Sequence, residues 1–356
     1  MASVVALAGG LPVRATDLSS RLRTATQIIQ KQVDSGTLKA AVLEVRCGDV
    51  REVSAFGDGI KSDAMFLLGS ITKPLTALGL VVLAERRALS FEDYALEYLP
   101  ELDHGEHRKI KIEHLLVHTS GLPDQLPNNN ELRAKHSPLQ AFVEGAACVP
   151  LLFEPGTSYH YQSMGILLAA RIAEKVSGMA LPVFLDKEVF APLGLSRTVL
   201  GLGRFAKLDM VPMQTEHAAP EAGAGDPTAK DWDWNSDYWR KLAAPWGGAH
   251  SCTGDLHRLL QALMAQKNPI LSDESVQRML QNHTKGLGAH RGIGWMLGNA
   301  LGHGCSDKAF GHSGSTGTLA WADPETETSF VLLTSLPKNV SGELILKAVS
   351  DLISTK

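Results

Sequence analysis

The sequence predicts an α+β protein in which an antiparallel β-sheet, flanked by helices, is built from both ends of the chain and interrupted by an inserted all-helical domain. Three observations support this class. Strand-like runs occur near both ends of the chain, the middle third is dominated by helical patterns and long loops, and one helix close to the first strands carries no charge. The expected sheet domain comprises residues 1–85 and 247–356, and the helical domain comprises residues 86–246.

The first elements are a helix and a hairpin. Residues 16–35 place apolar side chains at helical spacing after an Asp/Ser start and end at Gly36, which predicts an amphipathic helix. Two strand-like runs follow at 40–47 and 51–56, separated by a Gly-Asp pair that is typical of tight turns. The beginning of the chain therefore predicts one helix and the first two strands of the sheet.

The next helix is apolar on every side. Residues 74–84 (PLTALGLVVLA) contain no charged residue, and such a helix has to be buried all round, between two layers. Strands are expected to return only near the end of the chain. The remaining expected elements are helices at 112–119, 138–147, 163–177 and 181–190, strands at 316–322 and 328–335, and a terminal helix at about 341–353.

Composition and charge exclude several classes of protein. The chain has 356 residues, of which 44% are hydrophobic and 20% charged, and its net charge of −4 gives no basic surplus for nucleic acid. No segment reaches the roughly 18 apolar residues of a membrane span. The amino terminus lacks the basic residues and the cleavage site of a signal peptide. Wide spacing of the four cysteines favours reduced thiols and a cytoplasmic location.

A serine and a lysine one helical turn apart form the candidate catalytic pair. Ser70 and Lys73 would share one helix face, where the amine can reach the hydroxyl and take its proton. The spacing alone is weak, because it recurs by chance at 335–338 with a proline inside. Pro74 distinguishes the first copy, since a proline at that place requires the helix to begin at or near Ser70. The helix amino terminus then offers unpaired N–H groups to an oxyanion. A capping serine beside a solvated lysine is the alternative.

Three segments in a fixed order give this pair its context. Residues 70–73 (SITK), 154–163 (EPGTSYHYQS) and 311–314 (GHSG) resemble the S-x-x-K, Y-x-N and H-x-G motifs of the serine β-lactamase and penicillin-binding protein superfamily. The similarity is to its class C β-lactamase-like branch, which includes family VIII esterases and D-aminopeptidases. It covers roughly residues 20–350, with auxiliary matches at 118–122 (HTSGL), 191–195 (APLGL) and 247–256.

The resemblance implies a β-lactamase/transpeptidase-like fold with the active site at the junction of the two domains. It also implies an acyl-enzyme mechanism on a small ester or amide, without cofactor or metal. Ser70 would attack an acyl carbonyl after losing its proton to Lys73 and Tyr161. Tyr161 would then protonate the leaving group, and water would release the acyl group.

The resemblance also implies roles for the third motif. The backbone N–H groups of Ser70 and Ser315 would form the oxyanion hole. His312 would act as a second cation near the tyrosine or would orient it. Ser313 and Gly314 complete the motif as substrate-binding or orienting positions.

Two departures from the family pattern bear on the substrate. Ser163 stands where the family often has Asn and cannot offer an amide donor and acceptor together. His312 replaces a lysine, which removes a fixed positive charge for a substrate carboxylate. Both changes favour neutral esters or amides over penicillins and D-Ala-D-Ala termini. A β-lactamase or D-Ala-type peptidase remains an alternative, and so does a non-catalytic penicillin-binding-like sensor or scaffold.

Other patterns are weaker. Residues 114–118 (HLLVH) have zinc-helix spacing without the required Glu, and 231–237 mimic the start of a calcium loop without its turn glycine. Structural histidines and a solvated acidic loop are favoured, so that no metal is expected. Four tryptophans would line an acyl or aryl pocket, or pack a long loop: Trp232, Trp234, Trp239 and Trp246.

Overall fold

The computed structural model describes residues 12–355, which begin with a long helix and a β-hairpin. Side-chain surroundings are described from residue 18, and the stretch 1–11 considered for a signal peptide lies outside the described residues. Helix α1 (Pro12–Asp34) is followed by β1 (Ala41–Cys47) and β2 (Val50–Phe56). Gly48, with a φ of +53°, lies in the turn between these strands.

Six strands form the main sheet, in the order β2-β1-β9-β8-β7-β6, and each neighbouring pair is antiparallel. The four strands from the end of the chain are β6 (Met296–Leu297), β7 (Phe310–Gly314), β8 (Thr318–Asp323) and β9 (Thr328–Thr334). β1 lies between β2 and β9, and Val42 pairs with Leu333. The two ends of the chain therefore meet in one sheet, as the strand pattern predicts.

A second, smaller sheet has three short strands in the order β3-β5-β4. These are β3 (Phe66–Leu67), β4 (Val199–Leu200) and β5 (Ala249–Ser251). These strands were not expected, because strands were predicted to return only near the end of the chain. β4 also lies inside the insertion that was expected to be wholly helical. Runs of two or three residues are too short for a recognisable alternation of polar and apolar side chains.

Helices cover both faces of the main sheet. α2 (Thr72–Glu85) has 12 of its 14 residues buried, as expected from the uncharged run 74–84 within it. The other helices are α3 (Ile112–Leu116), α4 (Asn129–Ala134), α5 (Leu139–Cys148), α6 (Met164–Ser177), α7 (Leu181–Leu185), α8 (Asp237–Leu242), α9 (Thr253–Met264), α10 (Asp273–Leu280), α11 (Lys338–Ser341) and α12 (Ala348–Ser354). Four of these helices, α4, α8, α9 and α10, were not predicted from the sequence. π-helical turns extend α7 to Phe190 and join α11 to α12.

The central strands face two hydrophobic cores. Leu43 and Val45 of β1 belong to a core shared with α1 and α12. Val42 of the same strand belongs to the larger core, which continues through α2 into α6 and α7. Because successive side chains of a strand point to opposite faces, one strand supplies both cores. At the far side of α2, Gly79 allows close approach to α7, since a methyl group there would lie 2.8 Å from Leu185.

The third motif precedes a strand, as expected, but it is also a strand itself, which the residue pattern did not predict. β7 contains Gly311, where a methyl group would lie 2.3 Å from the carbonyl oxygen of Ala320 in β8. Two glycines in five residues weaken the strand pattern in the sequence. The following strand begins at Thr318 instead of 316, because Gly317, with a φ of +84°, forms the turn before it.

None of the helices within residues 12–355 has the length and apolar character that crossing a bilayer requires. The four cysteines are all free: Cys252 and Cys305 are buried, Cys47 is half-buried and Cys148 is exposed.

Candidate active site

Ser70 lies where the smaller sheet passes into helix α2. β3 ends at Leu67, and a 3₁₀ turn over Gly69–Ile71 leads into the α-helix at Thr72. Pro74 falls in the first turn of that helix, in agreement with a helix start near Ser70. The serine therefore sits at a helix amino terminus and is half-buried.

Lys73 is buried and points at Ser70. Its side chain is 1% exposed, and its Nζ donates to Ser70 Oγ and to the carbonyl oxygen of Trp246, both at 3.1 Å. The same Nζ lies 4.7 Å from the centre of the Tyr161 ring. One amine thus contacts the candidate nucleophile at hydrogen-bond distance and lies over the ring of the candidate acid/base tyrosine. A solvated lysine is incompatible with this burial.

The turn between β7 and β8 packs against the segment that carries Ser70. Gly69, with a φ of +55°, permits this approach, because a methyl group there would lie 3.1 Å from the amide nitrogen of Ser315 and 2.8 Å from Thr316 Oγ1. Thr316 Oγ1 donates to the carbonyl oxygen of Leu67 at 2.8 Å. The amide of Ser315 is thereby held beside the Ser70 segment, where an oxyanion donor would have to be.

Tyr161 is surrounded by basic side chains. Its ring centre lies 4.6 Å from that of His118 and 6.1 Å from that of His312. The guanidinium carbon of Arg291 lies 5.4 Å from the same ring. With Lys73, two cations and two imidazoles therefore face one phenol ring.

His312 is a neutral acceptor. Its Nδ1–H donates to the carbonyl oxygen of Ser313 at 2.7 Å, which leaves Nε2 without a proton. Burial, with Arg291 and Lys73 nearby, holds the pKa of His312 well below its ordinary value of 6.5. Its buried Nε2 has no hydrogen-bond partner among the described residues. Of the two roles that the resemblance implies, the geometry favours orientation of the tyrosine over a second cation.

Ser313 contacts a lysine 25 residues further along the chain. Lys338 Nζ donates to Ser313 Oγ at 2.8 Å, and the backbone N–H of Lys338 donates to the carbonyl oxygen of Ser315. Gly314 packs against the backbone of Leu68, because a methyl group on it would lie 2.1 Å from that carbonyl oxygen. The third motif is thus fixed from both sides.

Ser163 is turned away from solvent. Its hydroxyl donates to Asp124 Oδ1 at 2.6 Å, and only 2% of the residue is exposed. Its backbone precedes the first residue of α6. The side chain therefore holds the loop that carries Asp124.

Two of the four tryptophans lie together beside the Ser70 segment. Trp239 and Trp246 contact each other, with ring centres 6.3 Å apart, and the Trp246 carbonyl accepts from Lys73. A methyl group on Gly247 would lie 3.8 Å from the Trp239 ring and 4.0 Å from the carbonyl carbon of Gly69, so this pair borders the Ser70 segment. Trp232 packs against Gly223, and the carbonyl oxygen of Trp234 accepts from Arg240.

The side chains of the two metal-like patterns make hydrogen bonds within the protein. His114 Nδ1 accepts from the backbone N–H of Lys111, and His118 Nδ1 accepts from that of Gln162. Asp233 Oδ1 accepts from the backbone N–H of Asn235 in the loop that resembles a calcium site. Among the described residues there is no cluster of three or more His, Cys, Asp or Glu able to hold a metal ion.

Four residues near the site were not assigned from the sequence, namely His118, Asp124, Arg291 and Lys338. His118 belongs to the HTSGL segment, so a signal existed, although it gave no role. Lys338 was treated as part of a chance match at 335–338. Arg291 and Asp124 stand in loops, where no periodicity marks them.

The sequence matches the family model described as Beta-lactamase over residues 25–351. It is 28% identical to Esterase EstB of Burkholderia gladioli over 305 residues, which are 77% of this chain and 76% of that esterase. It is 32% identical to a penicillin-binding protein of Bacillus subtilis (strain 168) over 171 residues, which are 44% of this chain and 37% of that protein.

The fold is also found among solved structures. EstCE1, described as a hydrolase with promiscuous acyltransferase activity, superposes with a TM-score of 0.77 at 21% identity, covering 96% of this chain and 100% of that one. At this identity the likeness concerns the fold.

Proposed function

The chain belongs to the Beta-lactamase family and is a serine hydrolase, and from that premise we propose that it forms an acyl-enzyme on Ser70 from small esters or amides. One observation carries the assignment of the nucleophile. Lys73 Nζ lies 3.1 Å from Ser70 Oγ in a buried position at a helix amino terminus. Such a pair activates a hydroxyl that is otherwise a weak nucleophile.

The mechanism follows from the positions of the groups. Ser70 Oγ adds to the acyl carbonyl while its proton passes to Lys73 or Tyr161, and the amides of Ser70 and Ser315 stabilise the oxyanion. Tyr161 donates a proton as the carbon–oxygen or carbon–nitrogen bond to the leaving group breaks. A water molecule then adds to the ester of Ser70, and its proton returns through the same groups to Ser70 Oγ.

Two features support a preference for uncharged substrates. The ring of His312 is neutral, and the hydroxyl of Ser163 is already donated to Asp124. Neither residue offers a charge or an amide to a peptide-like acyl group. Trp239 and Trp246, beside the Ser70 segment, would border an apolar acyl group. The similarity to an esterase agrees with this preference.

Labelling of Ser70 tests the proposal. We expect a fluorophosphonate probe to add to the protein once, on Ser70, and short p-nitrophenyl esters to be hydrolysed. Ser70→Ala should lose the adduct and at least about 10³-fold of kcat while its thermal unfolding midpoint is unchanged. Ser62→Ala, at an exposed serine, is the matched control. Turnover by the Ser70→Ala protein would mean that another residue is the nucleophile.

The same experiment separates the two classes of function. A sensor or scaffold on this fold would give the Ser70 adduct without turnover. The cysteine spacing supports a cytoplasmic location, which remains part of the proposal and is tested by cell fractionation.

A second candidate is a substrate whose leaving group carries a carboxylate, as in a β-lactamase or a D-Ala-type carboxypeptidase. Lys338 Nζ at 2.8 Å from Ser313 Oγ supports it, because this ammonium replaces the charge that His312 lacks. The two side chains line a cavity of about 280 Å³ that is partly apolar, at Met296 and Leu346, and partly charged, at Glu343 and at the Lys347–Asp351 ion pair. A leaving group with one carboxylate would pair with Lys338, and its apolar body would lie against Met296 and Leu346.

Lys338→Met distinguishes the two candidates. We expect it to raise KM for an m-carboxyphenyl ester about tenfold and to leave the phenyl ester of the same acyl group within about twofold, because only the former loses an ion pair. Lys61→Met, at an exposed lysine, controls for the change in net charge. Equal effects of Lys338→Met on both esters would rule out the second candidate.

A further inference from the structure

His118 holds the backbone on both sides of Tyr161. Its carbonyl oxygen accepts from the N–H of His160 at 3.0 Å, and its Nδ1 accepts from the N–H of Gln162 at 3.2 Å. Its ring lies 4.6 Å from the Tyr161 ring at an interplanar angle of 42°. One residue therefore contacts the amide before the tyrosine, the amide after it and the phenol itself.

The position of His118 is itself fixed by its surroundings. His118 is 1% exposed and has a φ of +67°, a conformation that costs free energy for a residue other than glycine. The Gln162 side chain accepts from Ser120 Oγ at 2.6 Å and donates to the carbonyl oxygen of His114 at 3.1 Å. Hydrogen bonds thus tie the 118–120 segment to the 160–162 segment at several points, so that neither moves alone.

The ring acts as a neutral acceptor. Nδ1 receives a backbone N–H and therefore carries no proton itself, which places the proton on Nε2. Burial lowers the pKa of His118 well below its ordinary value, and Arg291, Lys73 and His312 act in the same direction. The Nε2–H has no acceptor among the described residues. The ring contacts the Gln162 amide through Nδ1, the Tyr161 ring, and the Tyr159 ring, whose centre lies 6.2 Å away.

We propose that His118 is a positioning residue that fixes the orientation of Tyr161 for proton transfer at Ser70, by holding the two flanking amides and packing against the phenol. The inference rests on the acid/base role proposed for Tyr161. Proton transfer needs a heavy-atom separation near hydrogen-bond length, and a displacement of about 1 Å lowers the rate by roughly 10²-fold. Substrate binding does not depend on that separation. Loss of His118 should therefore lower kcat and leave KM nearly unchanged.

Two substitutions distinguish the effect of losing the Nδ1 acceptor from the effect of straining the backbone at position 118. Both glycine and asparagine tolerate positive φ, so neither adds strain at position 118. His118→Gly removes the acceptor and the ring. His118→Asn removes the ring but places its amide oxygen where Nδ1 lies, since both atoms are bonded to Cγ, and so retains the hydrogen bond to Gln162. We expect kcat to fall about 30-fold in His118→Gly and less than about threefold in His118→Asn, with KM within about twofold in both.

Combining the His118 substitution with Tyr161→Phe shows whether His118 acts through the tyrosine. In Tyr161→Phe, a further His118→Gly change should alter kcat by less than about twofold, because residues that act as a unit are strongly non-additive. His136→Gly is the matched control, since His136 also has a positive φ, of +51°, but is exposed and stacks on Tyr238. It should leave kcat unchanged.

The outcomes are distinguishable from those of the proposed function. If the unaltered chain hydrolyses no ester and takes up no probe on Ser70, the proposed function fails. If it does both, then kcat of a folded His118→Gly within twofold of the unaltered value overturns the positioning role. A multiplicative loss in the double variant also overturns it. Should His118→Gly not fold, the result for His118→Asn decides. This variant keeps the hydrogen-bond acceptor for Gln162, so a tenfold loss of kcat in a folded His118→Asn protein would overturn the positioning role.

Discussion

At the scale of single residues, we propose that Lys73 and Tyr161 exchange protons with Ser70 and the leaving group. Lys73 Nζ donates to Ser70 Oγ at 3.1 Å and lies 4.7 Å from the centre of the Tyr161 ring, so one amine lies close to both of the other side chains. Tyr159 lies two positions earlier and is also close to Arg291, whose guanidinium carbon is 5.5 Å from its ring. Burial raises the pKa of Tyr159, which Arg291 opposes in part. The contact with Lys73 thus distinguishes Tyr161.

Removal of one phenol hydroxyl tests this distinction. We expect Tyr161→Phe to lower kcat on a p-nitrophenyl ester by about 10²- to 10³-fold, because the general acid/base is lost while the packing is retained. Tyr159→Phe, the matched control, should change kcat less than about threefold. The measurement is steady-state kinetics with thermal unfolding of both variants. A Tyr161→Phe enzyme of normal rate would leave Lys73 acting alone or Tyr159 in its place.

At the scale of elements, strand β1 joins the sheet to helix α9 through a buried carboxylate. Glu44 is fully buried, and its Oε1 accepts from Arg46 at 2.8 Å and from Arg51 at 2.9 Å, while its Oε2 accepts from Thr253 at 2.8 Å. Burial raises the pKa of Glu44, but His257 and the hydrogen bonds from the arginines and the threonine outweigh it, and the pKa lies below its ordinary value. The carboxylate is therefore ionised and satisfied.

Glu44→Gln should destabilise the protein by about 2 kcal/mol at pH 7, because it removes the charge that the two arginines and Thr253 share. A carboxyl group whose pKa is lowered on folding stabilises above its unfolded pKa, and this contribution is lost as the pH falls through the folded value. The difference in the free energy of unfolding between Glu44→Gln and the unaltered protein should therefore become smaller as the pH is lowered from 7 toward about 3, as measured by urea denaturation.

Glu52→Gln on the neighbouring strand β2 is the control, because Glu52 is exposed and should change the free energy of unfolding by less than about 0.5 kcal/mol. A Glu44→Gln protein as stable as this control would contradict a structural role for the buried carboxylate.

Helix α2 and strand β7 show which elements a sequence pattern can predict and which it cannot. α2 was predicted because eleven successive uncharged residues leave no exposed face, a property of the segment alone. β7 was not, because FGHSG owes its conformation to β8, on which Gly311 packs directly. β3, β4 and β5 are likewise strands only through their partners.

At the scale of the whole molecule, the main sheet uses both ends of the chain, and the larger core continues from it into the middle helices. We propose the division into a sheet domain of residues 1–85 and 247–356 and a helical domain of residues 86–246, with the site at their junction. In support of this, Ser70 and Lys73 come from the first part, Tyr161 from the second, and His312 from the last. A shared core predicts that the two parts unfold together.

Four of the five buried histidines among the described residues have strongly lowered pKa values and make the stability of the whole molecule depend on pH. Burial lowers the pKa of His257 from 6.5 to about 4 and holds those of His118, His250 and His312 well below 6.5. Each is neutral when folded and takes up a proton when unfolded below its ordinary pKa. Their contribution is therefore complete above 6.5 and decreases as the pH falls, by about 1.4 kcal/mol per pH unit for each histidine.

We expect the free energy of unfolding to decrease steeply between about pH 6.5 and about pH 5, measured by urea denaturation at intervals of half a unit. His250→Gln should reduce the slope by about 1.4 kcal/mol per pH unit, because one proton fewer is taken up on unfolding. His217→Gln, at an exposed histidine, is the control and should leave the slope unchanged. An equal slope in all three proteins would contradict the neutral buried state of His250.

The sequence by itself determined the first helix and hairpin, the apolar helix α2, the last two strands, the candidate pair Ser70 and Lys73, and the family to which the chain belongs. These rest on local properties, since hydrophobic period, a proline in the first helical turn and motif spacing act over a few residues.

Only the tertiary structure decided what surrounds that pair. It placed His118 and Arg291 beside Tyr161, turned Ser163 to Asp124 and joined Lys338 to Ser313 across 25 positions. It also made His312 neutral through burial near cations from distant segments. Long-range contacts and desolvation depend on the packing of the whole chain, and a linear pattern of residue types does not record them.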